Sequence, residues 1–140
     1  MSSFESLDTT SLCRAIKSFE NAVRIYKTLD DVPEDEKAVI GAGVIQNFEF
    51  TYELCWKVMK RWIEMNVDPL LVDGVTRHDL FRLAAENKLI ADVDKWMDFH
   101  RARNRTSHIY DEEVAKAVLA AAFEALPYIQ DFASRQEARR

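Results

Sequence analysis

In the last third of the chain, Arg103-Asn104-Arg105-Thr106-Ser107-His108-Ile109-Tyr110 gathers side chains that can do chemistry. A histidine such as His108 gives and takes protons near neutral pH. Arg103 is a permanent cation whose planar fork grips phosphate at two points. Together they suit cleavage of an RNA phosphodiester. The imidazole would take the proton from a 2′-hydroxyl, and the guanidinium would stabilise charge on the phosphorane. Asn104 and Ser107 are supporting candidates, to orient the phosphate or the imidazole. Arg103 and His108 lie about 140° apart on an ideal helix. One regular helix therefore does not aim both at a small ligand. A distorted helix, long side chains wrapping round, or a second copy of the chain would have to complete the site. Tyr110 shares Arg103's side of a continuous helix, where a packed amphipathic ring is its plain reading.

The same residues end a stripe that changes character. Val93, Trp96 and Met97 mark an inward helix face by their spacing, and that face continues through His100, Arg103, Asn104, Ser107 and Asp111, with His108 at its edge. Unpaired buried polar groups cost about 1–3 kcal/mol each. Such a stripe is therefore a hydrogen-bonded network between helices, a subunit interface, or a wet cleft that binds or reacts. Spacing alone leaves these open.

The elements that must position these residues read as helices. Leu12, Ile16, Phe19, Val23, Tyr26 and Leu29 predict a first helix over Thr10 to Leu29, capped by Thr9 or Thr10. Pro33 and the acidic Glu34, Asp35 and Glu36 suit the start of a long second helix to Met65. Its stripe is Val44 or Ile45, Phe48, Tyr52, Cys55, Met59, Trp62 and Ile63. Gly41 and Gly43 weaken its early part, either to let a neighbouring helix approach or as a kink. Asn66 to Val75 reads as a loop. Thr76 caps a short helix over Arg77 to Asn87, with Leu80, Phe81, Leu83 and Ala84 apolar. Asp92 caps a helix from Val93 to Ser107 or slightly beyond. Asp111 caps the last, Glu112 to Ser134, with Val114, Val118, Ala121 or Ala122, Ala125 and Ile129 inward. Pro127 is expected to kink it or end its regular part, and the polar tail Arg135 to Arg140 to fray. The expected fold class is all-α: an antiparallel up-and-down four-helix bundle with a short extra helix, forming a single domain over residues 1–140.

Composition narrows the function classes. Hydrophobic residues make up 48% and charged residues 31%, a globular balance, and the net charge of -5 argues against a general electrostatic grip on nucleic acid. RNA binding would have to be local or assisted by a partner. Cys13 and Cys55 sit in helical patterns without Cys-x-x-Cys spacing; they read as small core thiols in a reducing compartment, with a helix-to-helix disulfide as the minor alternative. Met1-Ser2-Ser3-Phe4-Glu5-Ser6 does not resemble a secretory signal, no run is long enough to span a membrane, and a cytoplasmic location is expected. No His/Cys/Asp/Glu set has metal-ligand spacing, and no Gly-rich phosphate loop occurs, so neither metal nor cofactor is expected. Glu49 and Glu53 lie one turn apart beside the second helix's stripe. They are either a solvated or salt-bridged pair, or one of them pairs with Arg103 or Arg105 and orients it.

The segment Arg103 to Tyr110 resembles the Arg-x4-His motif, followed by x-Tyr, of HEPN-domain proteins, within them the HepT-like group also named nucleotidyltransferase substrate-binding proteins. Gln46-Asn47-Phe48-Glu49-Phe50-Thr51-Tyr52-Glu53-Leu54-Cys55-Trp56-Lys57 is similar to that group's second-helix signature, and Asp94-Lys95-Trp96-Met97 and Tyr110-Asp111-Glu112 also fit. The resemblance covers roughly residues 10 to 130. It implies a homodimer with the motif helices near its axis. It also implies a partner, a minimal nucleotidyltransferase encoded nearby, in a toxin–antitoxin pair. This chain would then be the toxin, a metal-independent endoribonuclease. Arg103 and His108 would be its catalytic pair, and Asn104 matches the polar residue after the motif arginine. Tyr110 matches the tyrosine that the partner silences by AMPylation. The group's other name implies a non-catalytic module that presents substrate to the nucleotidyltransferase. A purely structural dimerisation bundle is the third reading.

Overall fold

A computed structural model describes residues 7–139; the opening segment Met1 to Ser6, read above as no secretory signal, and Arg140 lie outside them. The described chain is helical throughout: α1 (Thr10–Lys27), α2 (Glu34–Asn66), α3 (Arg77–Glu86), α4 (Val93–Asn104) and α5 (Glu112–Ala138), with single 3-10 turns at Pro69–Leu71 and Thr106–His108. Four helices, α1, α2, α4 and α5, form the expected up-and-down bundle, and α3 is the short extra helix between α2 and α4.

The apolar stripes build one core. Leu12, Ile16, Phe19 and Val23 of α1 meet Val44, Phe48, Tyr52, Cys55, Met59 and Ile63 of α2; Leu80, Phe81 and Ala84 of α3, Trp96 and Phe99 of α4, and Ala122, Ala125, Ile129 and Phe132 of α5 close it. Trp96 is its aromatic hub, with ring centroids 5.8 Å from Phe81, 5.7 Å from Phe99 and 5.9 Å from Phe132. These tilted and edge-on pairs suit the ring quadrupole. The pairs with Phe81 and Phe132 hold α4 to α3 and α5 and thereby aim everything that follows Trp96 on that helix. The caps match their sequence signals. Thr76 accepts from the Asp79 amide, Asp92 from Lys95, and Asp111 from Glu113 and Val114. At the head of α1, Thr9 stands at the cap position, but the side-chain oxygen that accepts the Thr10 amide is Asp8 Oδ1, at 3.0 Å.

Several expectations are corrected. First, α4 stops at Asn104 instead of running to Ser107 or beyond. The Arg105 amide turns back to the Ala102 carbonyl, and the Thr106 hydroxyl lies 2.8 Å from the Arg103 carbonyl oxygen. A threonine that bonds its own backbone competes with the helix ladder. Second, Pro127 does not end α5, which continues to Ala138. Pro127 faces solvent, while Ala125, Ile129 and Phe132 on either side are fully buried and hold the helix to the core. The tail expected to fray is helical to Ala138: Gln136 is buried, and Arg135 pairs with Asp131 at 2.9 Å and donates to the Lys88 carbonyl. Third, only Cys55 is a core thiol; Cys13 is exposed, and both are unpaired.

The two early glycines of α2 separate. A Cβ at Gly41 would stand 3.4 Å from Tyr26 Cε2, which is the close approach of α1; a Cβ at Gly43 would meet nothing within 4 Å. Glycine inside a helix costs about 1 kcal/mol relative to alanine. Gly43→Ala should therefore raise stability by about 0.5–1 kcal/mol, read as a higher thermal midpoint of the isolated chain. An unchanged or lower midpoint would contradict the open setting of Gly43.

Candidate functional site

The site starts from α2, which carries Glu49, Tyr52, Glu53 and Trp56 toward α4. Arg103, in the last turn of α4, is clasped by two of them. Its Nε donates to Glu53 Oε1 at 3.0 Å, and its Nη1 lies 3.3 Å from Glu49 Oε2. Thr106 closes the clasp: its hydroxyl donates to Glu49 Oε2 at 2.5 Å and stands 3.4 Å from Arg103 Nη1. Glu53 is oriented in turn by the Trp56 indole N–H, at 3.0 Å from Oε2. The sharper of the two readings of Glu49 and Glu53 therefore holds, with both carboxylates on Arg103 rather than one. All three charged side chains are about one-third exposed, so the clasp is half-dry and keeps its shape without a large desolvation penalty. Both contacts use Nε and Nη1, so the clasp leaves Nη2 out.

A second contact between α2 and α4 lies one turn earlier. The buried Tyr52 hydroxyl is 2.8 Å from His100 Nδ1, and the far ring nitrogen, Nε2, is 3.3 Å from the Asn104 amide. Partial burial, then the positive charge of Arg77, lowers the His100 pKa, so the ring is neutral near pH 7. Burial raises the Tyr52 pKa, and the phenol keeps its proton. Arg77 of α3 borders this pair and stacks its guanidinium 3.5 Å over the Trp56 ring.

Beyond Asn104 the chain opens to solvent. Thr106 is buried, but Asn104, Arg105, Ser107 and His108 are exposed, and Tyr110 is 84% exposed. The His108 and Tyr110 rings are 6.1 Å apart, edge to face. The packed-ring reading of Tyr110 is thus overturned; it stands free on the turn before α5. The polar stripe is two things at once. His100 and Arg103 belong to an interhelix network, whereas Asn104, Ser107, His108 and Asp111 line exposed surface. The ideal-helix angle between Arg103 and His108 does not apply, because the 3-10 turn intervenes.

Beside Arg103 runs an open groove of about 470 Å³, lined by Gln46, Asn47, Glu49, Phe50, Glu53 and Arg103. Phe50, 60% exposed, forms its apolar side. Among the described residues no group of three or more His, Cys, Asp or Glu is arranged to hold a metal ion, and no helix is long and apolar enough to cross a membrane. Thr106 and the Arg77–Trp56 stack escaped the sequence reading. Thr106 is visible only once the helix ends there, and the stack joins residues on separate helices.

Comparison with known proteins identifies the family. Residues 7–138 match the family described as nucleotidyltransferase substrate binding protein like. A Haemophilus influenzae protein named probable ribonuclease HepT is 45% identical over 82 residues, which are 56% of this chain and 55% of that protein. The chain thus spans about half the length of that curated relative. A solved Haemophilus influenzae structure, described as the fold of a substrate binding domain of a nucleotidyltransferase, superposes with a TM-score of 0.88 at 31% identity, covering 93% of this chain and 99% of that one. With the family match running from α1 to the end of α5, the chain belongs to the nucleotidyltransferase substrate-binding, HepT-like family.

Proposed function

We propose that this chain is a metal-independent endoribonuclease of the toxin–antitoxin kind, working as a homodimer in the cytoplasm. The observation that carries the reading is the clasp. Arg103 is held by one edge against Glu49 and Glu53, with Nη2 outside the clasp, at the mouth of an open groove. A guanidinium fixed in this way is preorganised for a phosphate oxygen, which is the larger part of what phosphodiester cleavage asks of a protein. His108, exposed on the adjoining turn, serves as the general base on the 2′-hydroxyl; Asn104 and Ser107 are its polar neighbours. A second copy of the chain supplies the opposite wall. The unpaired thiols Cys13 and Cys55 suit a reducing compartment.

The partner in this reading is a minimal nucleotidyltransferase that transfers AMP to Tyr110. Support comes from the family description and from the exposure of Tyr110, whose hydroxyl no packing hides. A bulky anion there would stand beside His108. A second reading, a non-catalytic subunit that presents substrate to the nucleotidyltransferase, is favoured by one observation. The two carboxylates outnumber the single guanidinium at the groove, on a chain of net charge -5, so RNA alone meets little attraction.

Two measurements test these readings. Purified protein freed of metal by chelation should cleave RNA, and Arg103→Ala and His108→Ala should each lose at least about 100-fold. Equal cleavage by all three, or none by the wild type on several RNAs, would reject the ribonuclease and leave the presenting subunit. Incubation with the neighbouring nucleotidyltransferase and ATP should add the mass of one AMP to the wild type and none to Tyr110→Phe. Addition at another residue, or none, would reject Tyr110 as the acceptor.

A further inference from the structure

His100 lies outside the Arg-x4-His spacing, yet it is bonded on both ring nitrogens, and its partners fix which way each bond runs. The starting point is the Tyr52 hydroxyl, buried in the core at 1% exposure. A buried O–H needs an acceptor. Its hydrogen-bond partner among the described residues is His100 Nδ1, at 2.8 Å. The phenol therefore donates its hydrogen bond to Nδ1. A neutral imidazole that accepts on Nδ1 carries its hydrogen on Nε2. The Asn104 atom placed 3.3 Å from that nitrogen is Nδ2, so as placed two N–H groups would face each other. An amide bonded to a donor turns its oxygen toward it. The nitrogen and oxygen of an Asn side chain are told apart only by such bonds.

We propose that Tyr52 and His100 form a directional relay that fixes the exposed Asn104 amide with its oxygen inward and its NH₂ outward, as a donor to a non-bridging oxygen of the phosphodiester held by Arg103. The relay joins two helices: α2 supplies Tyr52, and α4 supplies His100 and, one turn on, Asn104. The opposite polarity would present a carbonyl oxygen to the phosphate and repel it. His100 is thus a positioning residue, and Asn104 the group that touches substrate. The phosphate role of Asn104 rests on the ribonuclease reading; the direction of the relay does not.

The test uses ¹⁵N-labelled full-length protein near pH 7.5 and a deoxydinucleotide, whose single phosphodiester lacks the attacking 2′-hydroxyl. Long-range imidazole spectra, assigned by their loss in His100→Gln, should show His100 as the Nε2–H tautomer. The Nδ1–H tautomer would overturn the relay. Titration with the deoxydinucleotide should shift the Asn104 side-chain NH₂ resonances in the wild type. It should do the same in His100→Gln, which keeps one acceptor and one donor on a planar head, but not in His100→Leu. An equal shift in His100→Leu would overturn the positioning role. With RNA as substrate, His100→Leu should lower kcat at least about 10-fold with KM little changed, and His100→Gln should restore most of it. Tyr52→Phe removes the proton that sets the tautomer and should mix the two forms even if His100→Leu folds poorly. An Nε2–H tautomer and shifted NH₂ resonances in a protein that cleaves no RNA would reject the ribonuclease and keep the relay.

Discussion

One ion-pair cluster organises the functional end of this molecule: Arg103 at the end of α4, held by Glu49 and Glu53 of α2 and closed by Thr106. A guanidinium is rigid and planar, so two fixed acceptors define its plane as well as its place. Thr106 belongs to the same cluster, and its one hydroxyl proton lies between Glu49 Oε2 and the Arg103 carbonyl where the helix ends. The clasp therefore also decides where the 3-10 turn begins, and through it where Ser107, His108 and Tyr110 emerge. Lysine at 103 could not do this, since an ammonium fixes no plane.

The clasp is credible because the bundle beneath it is stiff. Trp96 packs against Phe81, Phe99 and Phe132, drawing α3, α4 and α5 together, and Tyr52 joins α2 to α4 through His100. Close-packed aromatic cores transmit position with little play. The chain thus passes from a dry layer to a half-dry polar layer along α4, and then to exposed surface on the 3-10 turn that follows. The ladder of burial, from Trp96 through His100 and Arg103 to His108, is what turns one helix end into a site.

Much of this was legible in the residues. Stripes of period three and four place the helices, because a helix without an apolar face does not bury one. Asp92, Thr76 and Asp111 announce their caps, since short oxygen-bearing side chains satisfy orphan amides. The break from Met97 to His100 and Arg103 marks the site. What spacing could not show is where regular helix gives way. The end at Asn104 depends on Thr106 meeting Glu49, a residue 57 positions away. Helical periodicity kept the tyrosine on Arg103's side, but the turn placed Tyr110 in solvent. Pro127 misled for the same reason. A local rule against proline yielded to tertiary packing by Ile129 and Phe132. Arg77 on Trp56 joins two helices with no pattern in common.

The central question is whether Glu53 serves catalysis through Arg103. The direct measurement is a double-mutant cycle on metal-free RNA cleavage with Glu53→Ala, Arg103→Ala and the pair together. If the carboxylate acts by orienting the guanidinium, Glu53→Ala slows cleavage, and the double variant is no slower than Arg103→Ala alone. A Glu53→Ala rate at or above wild type, or losses that multiply in the double variant, would contradict it.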